Sequence, residues 1–175
     1  MTPKTISGET VVRMTVNGEP HSGIAEPRML LSDFLRHQLG FKGTHVGCEQ
    51  GACGACSIRL NGTLVRSCIA FAVTADGAEI ETVEGMSDGQ RLHPIQQAFH
   101  TEHGLQCGFC TPGFLLTTQA LLAENPDPSD SEIREFLSGN VCRCTGYQGI
   151  LAAVKKAAAA LRASDGQSGM EGGRL

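Results

Sequence analysis

The feature that most constrains this chain is the stretch Cys48-Glu49-Gln50-Gly51-Ala52-Cys53-Gly54-Ala55-Cys56. Its three cysteines follow C-x4-C-x2-C, and Cys68 adds a fourth after eleven intervening residues. That is the plant-type spacing for a [2Fe–2S] cluster. Each iron takes two thiolates besides the bridging sulfides, so a loop wrapped around the cluster can supply three ligands and a neighbouring segment the fourth. Gly47, Gly51 and Gly54 can take positive φ and bring backbone amides close to sulfur. Two ferric ions, two sulfides and four thiolates leave a formal charge of about −2, which N–H groups stabilise and tune.

A fold must be built around that loop from a limited set of side chains. The chain has 175 residues, is 41% hydrophobic and 18% charged, and carries no Trp and one Tyr. Its core must come from aliphatic residues and seven Phe. The net charge is −4 and no basic run exceeds Lys155-Lys156, which argues against nucleic-acid binding. No apolar run is long enough to span a membrane, and the N-terminus lacks an export signal, so a cytoplasmic location is expected. Eight cysteines without such a signal argue against a disulfide framework.

Residues 1–8 read as a loose arm. Thr10–Asn17 alternates as a strand, and Asn17-Gly18 signals a type I′ hairpin returning along His21–Ile24. Met29–Leu39 has a helical apolar stripe, with Gly40 to stop it. Ser57–Leu60 and Thr63–Arg66 flank Asn61-Gly62, a second hairpin that delivers Cys68 just past its end. Glu79–Val83 is a last strand. This order predicts a small mixed sheet packed on one helix.

From Leu92 onward the pattern turns helical. Pro94 opens one helix, closed by Gly104. Thr111-Pro112 provides an N-cap and N1 pair for a second, which ends at Asn125-Pro-Asp-Pro. Ser131 begins a third, with Gly139 as its stop, and Thr145 caps a fourth over about Tyr147–Leu161. Residues 164–175 are Gly/Ser-rich and expected to be disordered.

The other four cysteines lie between these helices. Cys107-Gly108-Phe109-Cys110 joins the first two and Cys142-Arg143-Cys144 joins the last two, each leading into a helix N-terminus that favours an anionic centre. Four thiolates from two turns suit structural zinc as well as a second [2Fe–2S] cluster. The iron–sulfur loop in the same chain makes a second redox centre the simpler assignment.

Three motifs then carry a resemblance: Gly47–Cys56, Gln106-Cys107-Gly108-Phe109-Cys110-Thr111-Pro112-Gly113, and Asn140-Val141-Cys142-Arg143-Cys144-Thr145-Gly146-Tyr147. With Cys68 after eleven residues and Cys142 after thirty-one, the chain resembles the small iron–sulfur subunit of the xanthine oxidase family of molybdenum hydroxylases. That family includes aldehyde oxidoreductase, carbon monoxide dehydrogenase and N-heterocycle oxidoreductase types. The resemblance covers about residues 9–163. It implies an α+β chain: a β-grasp, ferredoxin-like [2Fe–2S] domain at 9–86, a four-helix-bundle [2Fe–2S] domain at 87–163, and a tail at 164–175.

The implied ligands are Cys48, Cys53, Cys56 and Cys68 for one cluster and Cys107, Cys110, Cys142 and Cys144 for the other. Gln106 and the Cys144 region would lie near a pterin. The implied partners are a large subunit carrying molybdopterin, as the cytosine dinucleotide, and a medium subunit carrying FAD, in a dimer of heterotrimers. Electrons would pass from the molybdenum centre to the bundle cluster, then to the ferredoxin-like cluster, then to flavin. Such a chain is an oxidoreductase subunit with no catalytic residue of its own. A free-standing two-cluster ferredoxin and a zinc-stabilised interaction module are the competing readings.

The remaining candidates have plainer explanations. His37 shares the apolar stripe of its helix and reads as a core-edge histidine. His45 is near the first loop, but a Rieske site would replace two cysteines and all are present. Arg143 reads as a charge screen or a surface residue. Met14, Met29 and Met86 read as core or edge fillers, and the Ala157–Ala160 run as helix packing or exposure.

Overall fold

A computed structural model describes residues 8–168, and the backbone follows the periodicities of the sequence closely. Strand β1 (Thr10–Val16) turns at Asn17-Gly18 into β2 (Glu19–Ala25), and the two pair antiparallel with Val16 opposite Glu19. Both turn residues have positive φ, 53° and 85°, as a type I′ turn requires. The second hairpin repeats the device. β3 (Ser57–Leu60) and β4 (Thr63–Arg66) join through Asn61 at φ 48° and Gly62 at φ 80°. β5 (Glu79–Glu81) inserts between the hairpins, parallel to β1 and antiparallel to β3, giving the order β2-β1-β5-β3-β4. Alternation puts Val12, Met14, Val16, Ile58 and Ile80 on one buried face.

That face is covered by α1 (Leu31–Asp33), which continues as a wider, π-type turn over Phe34–Gln38. The Leu39 amide donates to the Phe34 carbonyl, five residues back, at 3.1 Å. Leu31, Phe34 and Leu35 are fully buried. The wider turn advances the phase after Leu35 and puts His37 in solvent, which corrects its expected place on the apolar stripe. β5 is also shorter than expected, because Val83–Met86 coils into a 3-10 turn.

The helical half contains α2 (Pro94–Thr101), α3 (Thr111–Glu124), α4 (Asp130–Phe136) and α5 (Gln148–Ser168) around a second core that includes Phe99, Phe114, Ile133, Ile150 and Val154. Three helix starts differ from the expected ones. α5 begins at Gln148, three residues past Thr145, which is therefore not its N-cap, and α4 begins at Asp130 rather than Ser131, capped by Ser129 through a capping box with Glu132. Cys110, not Thr111, occupies the N-cap of α3, so Thr111 and Pro112 are its first two helical residues. The helix α5 reaches Ser168, into the stretch expected to be disordered, because Arg162 and Ala163 continue its helix-favouring run. The rest of that stretch and the expected arm before Gly8 lie outside the described residues. Ala157 and Ala158 are buried and Ala159 and Ala160 exposed, so the alanine run half-packs. Met14 is buried, and Met29 and Met86 pack at the edges of the two cores.

Candidate functional site

The first thiol set is assembled by the loop after α1 and the end of the β3–β4 hairpin. Gly51 and Gly54 adopt φ 74° and 73°, and Glu49 52°, so the chain coils and turns its amides inward. The Gln50 and Cys53 amides both donate to Cys48 Sγ at 3.4 Å. Those hydrogen bonds lower the Cys48 thiol to about 7, favouring the thiolate that ligates metal. Cys68 lies in a 3-10 turn, Ser67–Ile69, anchored where the Ser67 hydroxyl donates to the Cys56 carbonyl at 2.8 Å. Cys56 and Cys68 are buried, and burial pushes Cys68 up to about 11.

The second set comes from two helix–helix turns. Burial raises Cys110, at the α3 N-cap, to about 12. Burial also raises Cys142, but hydrogen bonds from Thr145 and the Cys144 amide outweigh it and lower the thiol overall. The Thr145 hydroxyl is 3.1 Å from Cys142 Sγ, and the Cys142 amide donates to the Tyr147 hydroxyl at 2.8 Å. Tyr147 itself has φ 69°, which folds this turn back onto α5. Cys107 and Cys144 are exposed, with their sulfurs 3.6 Å apart. Exposed Gln106 lies beside them in sequence, and Arg143 is exposed as well.

Both sets therefore carry one thiol whose pKa is lowered by N–H or O–H donors and one held neutral by burial. Within each set the thiols influence one another across both segments, Cys68 with Cys56 and Cys48, and Cys110 with Cys142 and Cys107. Four thiols per set, one of them lowered toward the thiolate by N–H or O–H donors, suit a binuclear cluster that takes two thiolates per iron, and the eight cysteines fit two [2Fe–2S] clusters.

The two sets differ in exposure. The first set has two buried and two half-buried thiols, while the second presents Cys107 and Cys144 openly. The cause is local. Cys110 and Cys142 pack against the helical core, and among the described residues nothing covers Cys107 and Cys144 at the outer ends of the turns.

The sets meet back to back across the seam between the two halves. The Val141 amide, next to Cys142, donates to the Cys53 carbonyl at 2.9 Å. His45 Nδ1 donates to the Phe109 carbonyl at 2.8 Å, and its ring stacks on Phe109 at 5.0 Å. Arg66, Thr117 and Asn140 add further polar contacts there. None of these seam roles was assigned from the sequence. The only signal was that Asn140 and Phe109 stand inside cysteine motifs.

Comparison with known proteins agrees with this geometry. Residues 14–87 match the family model of the 2Fe-2S iron-sulfur cluster binding domain, and residues 82–155 that of a [2Fe-2S] binding domain. Caffeine dehydrogenase subunit gamma of Pseudomonas sp. (strain CBB1) is 52% identical over 148 residues, covering 83% of this chain and 89% of that protein. The nicotine 6-hydroxylase small subunit of Paenarthrobacter nicotinovorans is 47% identical over 154 residues, covering 88% and 93%. Among solved structures, quinoline 2-oxidoreductase from Pseudomonas putida 86 superposes with TM-score 0.86 at 50% identity, over 90% of this chain and 98% of that one. Among the described residues no helix is long and apolar enough to cross a membrane.

Proposed function

The chain belongs to the small iron–sulfur subunits of the xanthine oxidase family of molybdenum hydroxylases, and on that premise we propose how its two halves divide the work of an electron-transfer subunit. The bound clusters supply one-electron chemistry. Everything else is positioning by the protein. Cys48, Cys53, Cys56 and Cys68 hold the outer cluster in a β-grasp domain at 9–86. Cys107, Cys110, Cys142 and Cys144 hold the inner cluster in a four-helix bundle at 87–163. A mixed sheet with a parallel β1–β5 pair over one helix supports the first assignment, and α2–α5 around a single core the second.

The open edge of the inner set faces the large subunit. Gln106, Cys107 and Cys144 are exposed there, flanked in their turns by exposed Leu105, Phe109 and Val141. That edge is where the molybdopterin, as its cytosine dinucleotide, would be approached. The outer loop faces a medium subunit with FAD, in a dimer of heterotrimers.

The observation that carries the relay between the two sets is the Val141 N–H to Cys53 carbonyl bond at 2.9 Å. It joins a ligand residue of one set to the neighbour of a ligand in the other, so the shortest bonded connection between the sets runs through one hydrogen bond. Cys53→Ser in the assembled complex tests the order. The molybdenum centre and inner cluster should still be reduced by substrate, while flavin reduction and turnover fail. Cys110→Ser should leave the outer cluster oxidised. Rapid mixing with absorbance and low-temperature resonance separates the two. An intact Cys53→Ser complex that reduces flavin at the unmodified rate contradicts the order.

A further inference from the structure

We propose that Asn140 is the positioning residue that sets the distance, and hence the electronic coupling, between the two cluster sites. The inference rests on the relay proposed above. Asn140 is 2% exposed and follows a 3-10 turn, Leu137–Gly139, that leads from α4 toward Cys142. Its side chain works in both directions across the seam. Nδ2 donates to the Gly54 carbonyl at 3.3 Å, in the loop between Cys53 and Cys56. Oδ1 accepts from the Thr117 hydroxyl of α3 at 3.0 Å and from Arg66 Nη2 at 3.5 Å.

Two consecutive residues of one ligand turn thus grip two consecutive carbonyls of the other. The Asn140 amide holds Gly54 and the Val141 N–H holds Cys53. The grip is closed into a ring. The Ser57 hydroxyl also donates to Gly54 O, at 2.6 Å, Arg66 Nη1 donates to that hydroxyl, and Arg66 Nη2 returns to Asn140 and to the Gly139 carbonyl at 2.8 Å. Arg66 lies two residues before Cys68, so the ring touches both segments that feed the outer cluster.

The seam leaves no slack for another arrangement. A Cβ on Gly54 would meet Gly139 O at 2.5 Å and Asn140 Nδ2 at 2.6 Å, and one on Gly113 would collide with Gly54 O. A closed, largely buried network favours one geometry, because any shift leaves donors unpaired at a cost. An apolar residue of the same size would fill the space but strand the Thr117 hydroxyl and part of Arg66. The network therefore fixes register between the ligand turns, more than it adds to adhesion between the halves.

The test uses the assembled complex. Asn140→Ala removes both sides of the grip, and Asn140→Asp keeps the acceptor for Thr117 and Arg66 but removes the donor to Gly54. Iron content and each cluster's own resonance lines should persist. The spin–spin splitting between the two reduced clusters should change, and substrate-driven reduction of the outer cluster should slow at least severalfold, with Asp intermediate between wild type and Ala. Thr117→Val removes one donor to Asn140 and should shift the splitting in the same direction by less. Unchanged splitting and transfer rate in a four-iron Asn140→Ala complex would overturn the proposal. Should that variant lose iron, unchanged splitting in Asn140→Asp and Thr117→Val overturns it equally. A wild-type complex whose substrate never reduces the outer cluster would instead refute the relay on which the inference stands.

Discussion

Gly54 is where a single hydrogen atom decides whether the two halves can meet. Its φ of 73° is strained for any residue with a side chain, and its missing Cβ is the space that Gly139 O and Asn140 occupy. Gly54→Ala therefore combines backbone strain with a seam clash and should cost about 1–3 kcal/mol. Gly113→Ala, pressed against the Gly54 carbonyl, should cost about 3 kcal/mol, the upper end for overpacking. Melting of the purified complex, read with its iron content, checks both. Wild-type melting in either variant would contradict the packing described here. The sequence marked Gly54 as a backbone residue serving the cluster. It could not reveal the second duty, because the obstructing atoms come from residues 139 and 140, far along the chain.

Elements set by local chemistry were legible, and those set by tertiary packing were not. Both Asn-Gly hairpins were read from their turns, since two positive φ values leave few residue choices. The course of α1 could not be read, because its wide turn answers to the sheet beneath it. A Cβ on Gly23 of β2 would stand 3.0 Å from the Phe34 ring. The cap of α2 was missed for another reason: histidine is not a usual N-cap. His93 Nδ1 nevertheless accepts the Ile95 amide at 3.2 Å, and Gln96 returns a bond to the His93 amide at 2.9 Å. Burial lowers the His93 pKa. A histidine depressed in the folded state takes up its proton more readily when unfolded, so stability should fall as pH drops below its ordinary 6.5, and be unaffected above it. His93→Asn keeps a capping acceptor and removes the titration. Melting temperature between pH 5 and about 7.5 should then fall less steeply than in wild type. An identical slope would show that His93 does not contribute.

At the scale of the whole molecule, the described residues enclose one thiol set and leave half of the other open. The eight cysteines proposed as ligands could be picked out because thiolate spacing is a local constraint. The facing of the two sets could not be, since it depends on which end of each turn the helical core covers. The outer set is shielded by its own domain, with Cys56 and Cys68 buried, whereas Cys107 and Cys144 are open, in the same turns as exposed Leu105 and Val141. An anionic centre left at such an edge would be fully hydrated, and the exposed apolar side chains of these turns gain by being covered. The proposed cover is the molybdenum subunit. Val141→Glu places a charge on that face while leaving its backbone N–H free to reach Cys53, and Leu105→Glu does the same from the other turn. Each variant should load four irons and keep both cluster resonances, because no ligand and no seam contact is altered. Each should also co-purify poorly with the large subunit, and the double variant hardly at all, since a buried unpaired carboxylate costs several kcal/mol. Binding of the medium subunit, assigned to the other face, should be retained. If the double variant assembles with the large subunit as wild type does, the open edge does not face it, and the order of the relay must be drawn the other way.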